Sequence, residues 1–197
     1  TLHQRLPVSR RAQGMTPSKL YLQVGQTIRV EDAVLALVTK SANDAAVVLA
    51  EALGEEEWKF AGMMTERARQ LGMHRTTFRN ASGLPNRHQL STARDMATLS
   101  RALIYDYPHY YHYFSTTRFR YNGRTYGSHN NLLEEYRGTD GIKTGYIRAS
   151  GFNLAASVVR DGRRLIAVVF GGRTARSRDR HIMGLLDDGF AEARRLR

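Results

Sequence analysis

The chain has 197 residues, enough for one domain with a core that needs neither disulfide nor metal to hold it. It contains no cysteine, which excludes disulfide frameworks, Cys-ligated zinc, iron–sulfur clusters and thiol nucleophiles, and its apolar runs fall far short of the ~18 residues of a membrane span. Thirty basic residues against 18 acidic ones give a net charge of +12, which favours anionic partners. Only Lys19, Lys40, Lys59 and Lys143 are lysines. The arginines are scattered, with Arg10-Arg11, Arg163-Arg164 and Arg194-Arg195 as the only doublets. A nucleic-acid footprint should cluster on one face, and no binding motif accompanies the charge, so the reading is no nucleic-acid partner.

The opening Thr1-Leu2-His3-Gln4 has no initiator methionine and no leader pattern, and reads as the middle of a longer chain. Residues 1–30 mix short apolar pieces with Pro7, Gly14, Pro17 and Gly25, which predicts loops and short extended segments. Val30, Val34, Leu35 and Val38 recur at helical spacing, with Glu31 and Asp32 in the first turn, where the macrodipole favours them. Ser41-Ala42-Asn43-Asp44 interrupts that helix with residues that prefer caps. A second helix runs from Ala45 to Leu53 and ends at Gly54, and a third covers Glu55 to Leu71. Residues 73–90 carry no period and are expected to form an ordered loop. Ser91 or Thr92 caps a helix through Met96, Leu99, Leu103 and Ile104, with Arg94 and Asp95 as structural residues, and Pro108 stops it.

After an aromatic patch at Tyr110 to Phe114 the period shifts to two. Phe119 and Tyr121 alternate with arginines before Asn122-Gly123, a hairpin turn, and Asp161-Gly162 marks a second hairpin between Gly151–Val159 and Arg164–Phe170. Ala175 to Leu196 is expected to end the chain as a helix with Ile182, Leu186, Phe190 and Ala193 on one stripe. The fold class read from this order is α+β, helices packed on an antiparallel sheet, in one domain spanning 1–197: helical over about 30–115, hairpins and terminal helix over about 116–197. His109 and His112 stand three apart without a third ligand at metal spacing, so neither metal nor cofactor is expected.

Two short motifs carry chemistry. Asp140-Gly141-Ile142-Lys143-Thr144-Gly145 puts one of the few lysines, a small hydroxyl and a glycine on a strand, where cation and hydroxyl suit a peptide carboxylate and the glycine admits another backbone. Ser41-Ala42-Asn43 places polar side chains at a helix break. Ser-X-Asn followed about a hundred residues later by Lys-Thr-Gly resembles two of the three signatures of the serine penicillin-recognising enzymes. Leu37 to Ala46, Ala81-Ser82-Gly83-Leu84, Ser91 to Ala97, Asp140 to Tyr146 and Gly171-Gly172-Arg173-Thr174 are similar, in order, to the D-alanyl-D-alanine carboxypeptidase family. The third signature, Ser-X-X-Lys, is missing: the residues three before the four lysines are Thr16, Leu37, Glu56 and Asp140. The chain is therefore expected to be a fragment that begins after the nucleophile helix.

The resemblance implies a penicillin-binding-protein fold and a serine-type D,D-carboxypeptidase that removes the terminal D-alanine from peptidoglycan stem peptides, outside the cytoplasmic membrane. It implies catalytic roles for Ser41, Asn43 and Lys143, and substrate contacts from Lys143, Thr144, Gly145, Tyr146 and Asn131, with Asn130 beside it. The four motif residues Ser41, Asn43, Lys143 and Thr144 are expected to share a cleft. Peptidoglycan peptides and β-lactam antibiotics are the implied partners, and the basic surface suits an anionic wall or membrane. Two alternatives remain open: a non-catalytic module that binds peptidoglycan peptides, and a class A-like β-lactamase. Against the β-lactamase, Asn80 to Asn86 offers no acid as a deacylating base.

Overall fold

The computed structural model describes residues 1–195, so the expected helix end at Leu196 lies outside the described residues. The chain divides into two compact units. The first comprises Thr1–Gln70, Thr76–Leu90 and Thr116–His129, and the second Leu71–Arg75, Ser91–Ser115 and the chain from Asn130 onward.

In the first unit, β1 (Arg5–Pro7) pairs antiparallel with β2 (Thr27–Arg29). Between them lies α1 (Arg10–Gln13), a short helix in a region that the sequence reads as loops. Its local cause is Ser9, which adopts extended backbone and accepts from the Ala12 N–H. Three consecutive helices follow: α2 (Val30–Lys40), α3 (Asn43–Gly54) and α4 (Glu57–Gln70). Helix α3 is the centre of this unit. Ala45, Ala46, Val47, Val48 and Ala50 are all buried, and Ala45, Val47 and Val48 pack with Leu6, Leu20, Leu22, Ile28, Ala33 and Ala36 into one cluster. Gly54 lets α4 approach, because a Cβ there would stand 2.7 Å from the Phe60 backbone nitrogen. At the start of α4, the buried Glu57 carboxylate takes the Arg11 guanidinium and the Ala81 N–H. The expected ordered loop is tied by Asn80, which accepts from the Gly83 N–H at 2.8 Å, and by a bridge between Thr77 and Leu90. The hairpin of β3 (Arg118–Tyr121) and β4 (Arg124–Gly127) turns at Asn122-Gly123, both at positive φ, and buries Phe119 in the same cluster.

The second unit is a layered arrangement of helix, sheet and helix. Thr92 caps α5 (Ala93–Asp106) by accepting from the Asp95 N–H at 3.1 Å. The buried Asp95 carboxylate in turn accepts from the Arg75 N–H at 3.0 Å. Pro108 does stop that helix, but it also sits in the first turn of α6 (Pro108–Tyr111), where its missing N–H costs nothing. A 3₁₀ turn over His112–Ser115 completes the aromatic segment. The short α7 (Leu132–Glu135), which has too few residues to show a period, leads into the sheet. Its strands β5 (Thr139–Ile147), β6 (Gly151–Arg160) and β7 (Arg163–Gly172) form an antiparallel meander in that order, so β5 is an edge strand. One face of β6, with Leu154, Ala156 and Val158, packs on Ile182, Leu186 and Phe190 of α8 (Ala175–Arg195). On the other face, Ala155 and Ile166 pack with Ile104, Leu103 and Tyr111. The architecture is the α+β class read from the sequence.

The least replaceable polar group of the first unit is the Asp44 carboxylate. It has no exposed surface, and it accepts from the N–H groups of Leu20 and Leu22 at 3.0 Å each and from Ala45 at 2.9 Å. Asp44→Ala would leave buried backbone donors unpaired, at about 1–3 kcal/mol for each one left dry. We expect urea melts to show a loss of roughly 2–4 kcal/mol with this variant, whereas Asp188→Ala on exposed α8 surface stays within ~0.5 kcal/mol of the parent.

Candidate active site

The interruption at Ser41 is a true break. Ser41 ends α2 in the left-handed region at φ 55°, the Ala42 N–H reaches back to the Ala36 carbonyl at 3.2 Å, and α3 starts at Asn43. A non-glycine residue in that region carries strain, which surrounding bonds must hold. They do so through the loop at residues 16–22. The Asn43 N–H donates to the Ser18 carbonyl at 2.8 Å, the Asn43 side-chain amide donates to the Thr16 carbonyl at 2.9 Å, and the Ser18 hydroxyl donates to the Lys40 carbonyl at 2.8 Å. Asn43 is thus buried and fixed, with its side-chain oxygen left as the acceptor end. Lys40, which as a charged residue on a helix is expected to face solvent, is half-buried with its ammonium 5.8 Å from the Tyr126 ring centre. A flexible aliphatic stem beside an aromatic face explains the difference.

The second motif lies on β5. Its register sets Lys143 opposite Ala155, Thr144 opposite Leu154, Gly145 opposite Asn153 and Tyr146 opposite Phe152. The Lys143 ammonium donates to the Thr144 carbonyl at 2.7 Å. Its pKa is lowered to about 8, first by burial and then by the positive charge of Arg178. A Cβ at Gly145 would meet only Asn153, at 4.0 Å, so the strand stays open there. Tyr146 is exposed, with its ring 4.4 Å from that of Phe152.

The lysine strand is buttressed at its start. The Asp140 carboxylate takes the Arg164 guanidinium at 2.7 Å and the Tyr111 hydroxyl at 3.2 Å, and Arg164 also bonds the Ser157 hydroxyl. Burial pushes the Tyr111 hydroxyl up, so it stays a donor. Gly141 is obligatory beside it, since a Cβ would come within 2.6 Å of the Tyr111 hydroxyl oxygen.

A further residue of this group, Arg178, is not marked by any sequence motif. This arginine is 3% exposed, pairs with the buried Asp179 at 2.7 Å and donates to the Asn153 carbonyl at 3.3 Å. Nothing in an arginine-rich stretch marks it by type. The signal is positional: four residues before Ile182, it extends the buried stripe of α8 back by one turn. Asn131 belongs to the same group, its amide 3.3 Å from Asp179, and Asn130 beside it is buried. Lys143, Thr144, Gly145, Tyr146 and Asn131 therefore all lie in the second unit, and Ser41 and Asn43 in the first.

The family model described as D-alanyl-D-alanine carboxypeptidase matches residues 1–174. D-alanyl-D-alanine carboxypeptidase DacD of Salmonella typhimurium is 38% identical over 173 residues, which are 87% of this chain and 44% of that protein. The chain spans 44% of that protein's length and 44% each of D-alanyl-D-alanine carboxypeptidases DacD and DacC of Escherichia coli. Penicillin-binding protein 6B from Escherichia coli superposes with a TM-score of 0.88 at 36% identity, covering 95% of this chain and 61% of that one. Penicillin-binding protein D2 from Listeria monocytogenes, solved in an ampicillin-bound form, superposes with a TM-score of 0.86 at 32% identity, over 96% of this chain and 78% of that one.

Below about pH 8 the Lys143 ammonium is charged in both folded and unfolded chains, and the folded form bears the cost of desolvating it. As pH rises from about 8 towards the ordinary value of 10.5 that cost disappears, so this group makes folding more favourable with rising pH. NMR titration of the Lys143 side chain should give a midpoint near 8, and Arg178→Gln should raise it by removing the like charge. A midpoint near 10 in the parent chain would contradict this account.

Proposed function

Because the chain belongs to the D-alanyl-D-alanine carboxypeptidase family of peptidases, we propose that it serves a serine-type D,D-carboxypeptidase, and that residues 1–197 act in one catalytic domain. The observation that carries this reading is Lys143: a half-buried ammonium on an edge strand, beside an open glycine and a buried arginine. Such a strand edge suits an extended peptide ending in a carboxylate.

The reaction divides among these residues as follows. A serine oxygen attacks the carbonyl carbon of the penultimate D-alanine of a peptidoglycan stem peptide. The C–N bond breaks, the leaving amine takes a proton, and water then hydrolyses the acyl-enzyme. That serine belongs to a Ser-X-X-Lys motif, which these 197 residues do not contain. Ser41 relays the proton to the departing amine. Asn43, its amide nitrogen bound to Thr16, presents an acceptor oxygen to the substrate amide or the catalytic lysine. Lys143 supplies positive potential to the acylation step, and the Thr144 hydroxyl binds the terminal carboxylate with Arg178 reinforcing the charge. The Tyr146 N–H is one arm of the oxyanion hole, Gly145 leaves room for the peptide, and Asn131 steadies Asp179 beneath it. β-Lactams bind the same residues as acylating substrate mimics. Stem peptides lie outside the cytoplasmic membrane, so the site of action is extracytoplasmic, and the charge of +12 suits an anionic wall or membrane surface.

Two measurements test this. Incubated alone with penicillin, the 197-residue chain should gain no mass on any serine; an adduct would show that the nucleophile lies within it. In a protein joining these residues to a Ser-X-X-Lys segment, Lys143→Ala should slow penicillin acylation and D-alanine release by roughly 100- to 1000-fold, the value of one electrostatic contact in the transition state. Lys40→Ala should change either rate by less than about threefold. Equal rates for the two variants would remove Lys143 from the mechanism.

A further inference from the structure

Away from the lysine strand, the second unit encloses a small cavity of about 80 Å³ at the turn between β6 and β7, lined by Arg160, Asp161, Arg163, Phe190 and Arg194. Its construction is electrostatically costly. Arg160 and Arg163 are the last register pair of the β6–β7 ladder, directly opposite across the Asp161-Gly162 turn, and like charges in that position destabilise a hairpin. Arg194 brings a third guanidinium from α8.

Arg160 is held in place from four sides. Its Nε donates to the Arg137 carbonyl at 3.0 Å, another nitrogen donates to Asp187 at 3.1 Å, and its plane lies over Tyr136 and Phe190, 4.2 and 5.0 Å from the ring centres. The nearby acids do not balance the cluster. Asp187 is already engaged, accepting from the Tyr136 hydroxyl at 2.5 Å as well as from Arg160. Asp161 is the single carboxylate lining the cavity. Asp187 also feels the charge of Arg194, but neither Arg163 nor Arg194 stands within ion-pair distance of an acid among the described residues.

We propose that this notch binds a phosphate-bearing anion. Arg163, at the start of the partner strand, and Arg194, on the helix, can each present paired N–H donors to a different edge of a tetrahedral oxyanion, and Arg160, its Nε and one further nitrogen already engaged, adds its charge and its remaining N–H groups. The volume takes one such group and excludes an extended polymer inside the cavity. A phosphodiester or a lipid headgroup would insert its phosphate and leave the remainder in solvent. The site lies some five register positions along β6 from the partner of Lys143, so it is separate from the peptidase residues and does not rest on their assignment.

The test uses the whole 197-residue chain. Inorganic phosphate, titrated against chloride at constant ionic strength, should raise the melting temperature along a saturating curve. Arg163→Gln and Arg194→Gln should each weaken the apparent affinity about tenfold or more, and Arg163→Gln should also raise the melting temperature without phosphate by relieving the like-charge pair. Arg124→Gln, an equal charge change on the exposed β4, should leave the curve unmoved. Flotation with vesicles of phosphatidylglycerol against phosphatidylcholine separates the sources. Phosphatidylglycerol binding lost with Arg163→Gln identifies a headgroup, while saturable phosphate binding without vesicle binding identifies a soluble phosphate compound. A phosphate effect that does not saturate, or that is the same in the notch variants and in Arg124→Gln, overturns the proposal.

Discussion

The first unit depends on how one stretch of irregular backbone is satisfied. Residues 16–22 run without a ladder, yet Leu20 and Leu22 are buried in the core. Their N–H groups would be orphaned there if the Asp44 carboxylate did not accept both. The same stretch returns the favour through the carbonyls of Thr16 and Ser18, which hold Asn43, and through the Ser18 hydroxyl, which caps a carbonyl of α2. The left-handed Ser41 is therefore not tolerated as a flaw. It is clamped by bonds that also carry the core, so the orientation of the Ser-X-Asn motif and the stability of the unit share one set of contacts.

The second unit solves a different problem, that of keeping a lysine charged and close to an arginine. Burial lowers the affinity of Lys143 for its proton, and the charge of Arg178 lowers it further. The value of about 8 leaves the ammonium predominantly charged at neutral pH. Asp179 offsets Arg178, and Asn131 in turn donates to Asp179. The field at β5 is thus set by a graded chain of partners rather than by one ion pair. At the other end of the strand, Asp140, Arg164 and Tyr111 fix the backbone.

Much of this was legible in the residues. The helices at Val30 and Ala93 announce themselves by period, the second also by the Thr92 cap, the helix read from Ala45 starts two residues earlier at Asn43, and both hairpins are marked by Asn-Gly and Asp-Gly. Lys143 stands out by scarcity, as one of four lysines. What the sequence hides are features too short to show a period or fixed by non-local contacts. α1 exists because Ser9 caps it, and α7 is too short for a period. Arg178 is one arginine among 26 until its place on the buried stripe of α8 is seen. Lys40 and Lys143 look alike as letters. Only the Tyr126 ring beside one and the edge strand bearing the other tell them apart.

The chain passes between its two units five times, so neither is a contiguous piece of sequence. The four helices of the first unit, α1 to α4, are consecutive, but their core lacks Phe119 until the hairpin at 118–127 has been made. By then α5 of the second unit already exists as sequence, waiting for a sheet that comes later still. During synthesis on a ribosome, the apolar face left for Phe119 must stay uncovered through the intervening residues, a window in which chaperone contact or misassembly competes with folding. Genetic dissection meets the same arrangement: a cut at residue 90 or 115 takes Phe119 from the first unit's core, and a cut at 115 also parts Ile104 and Tyr111 from Ile142.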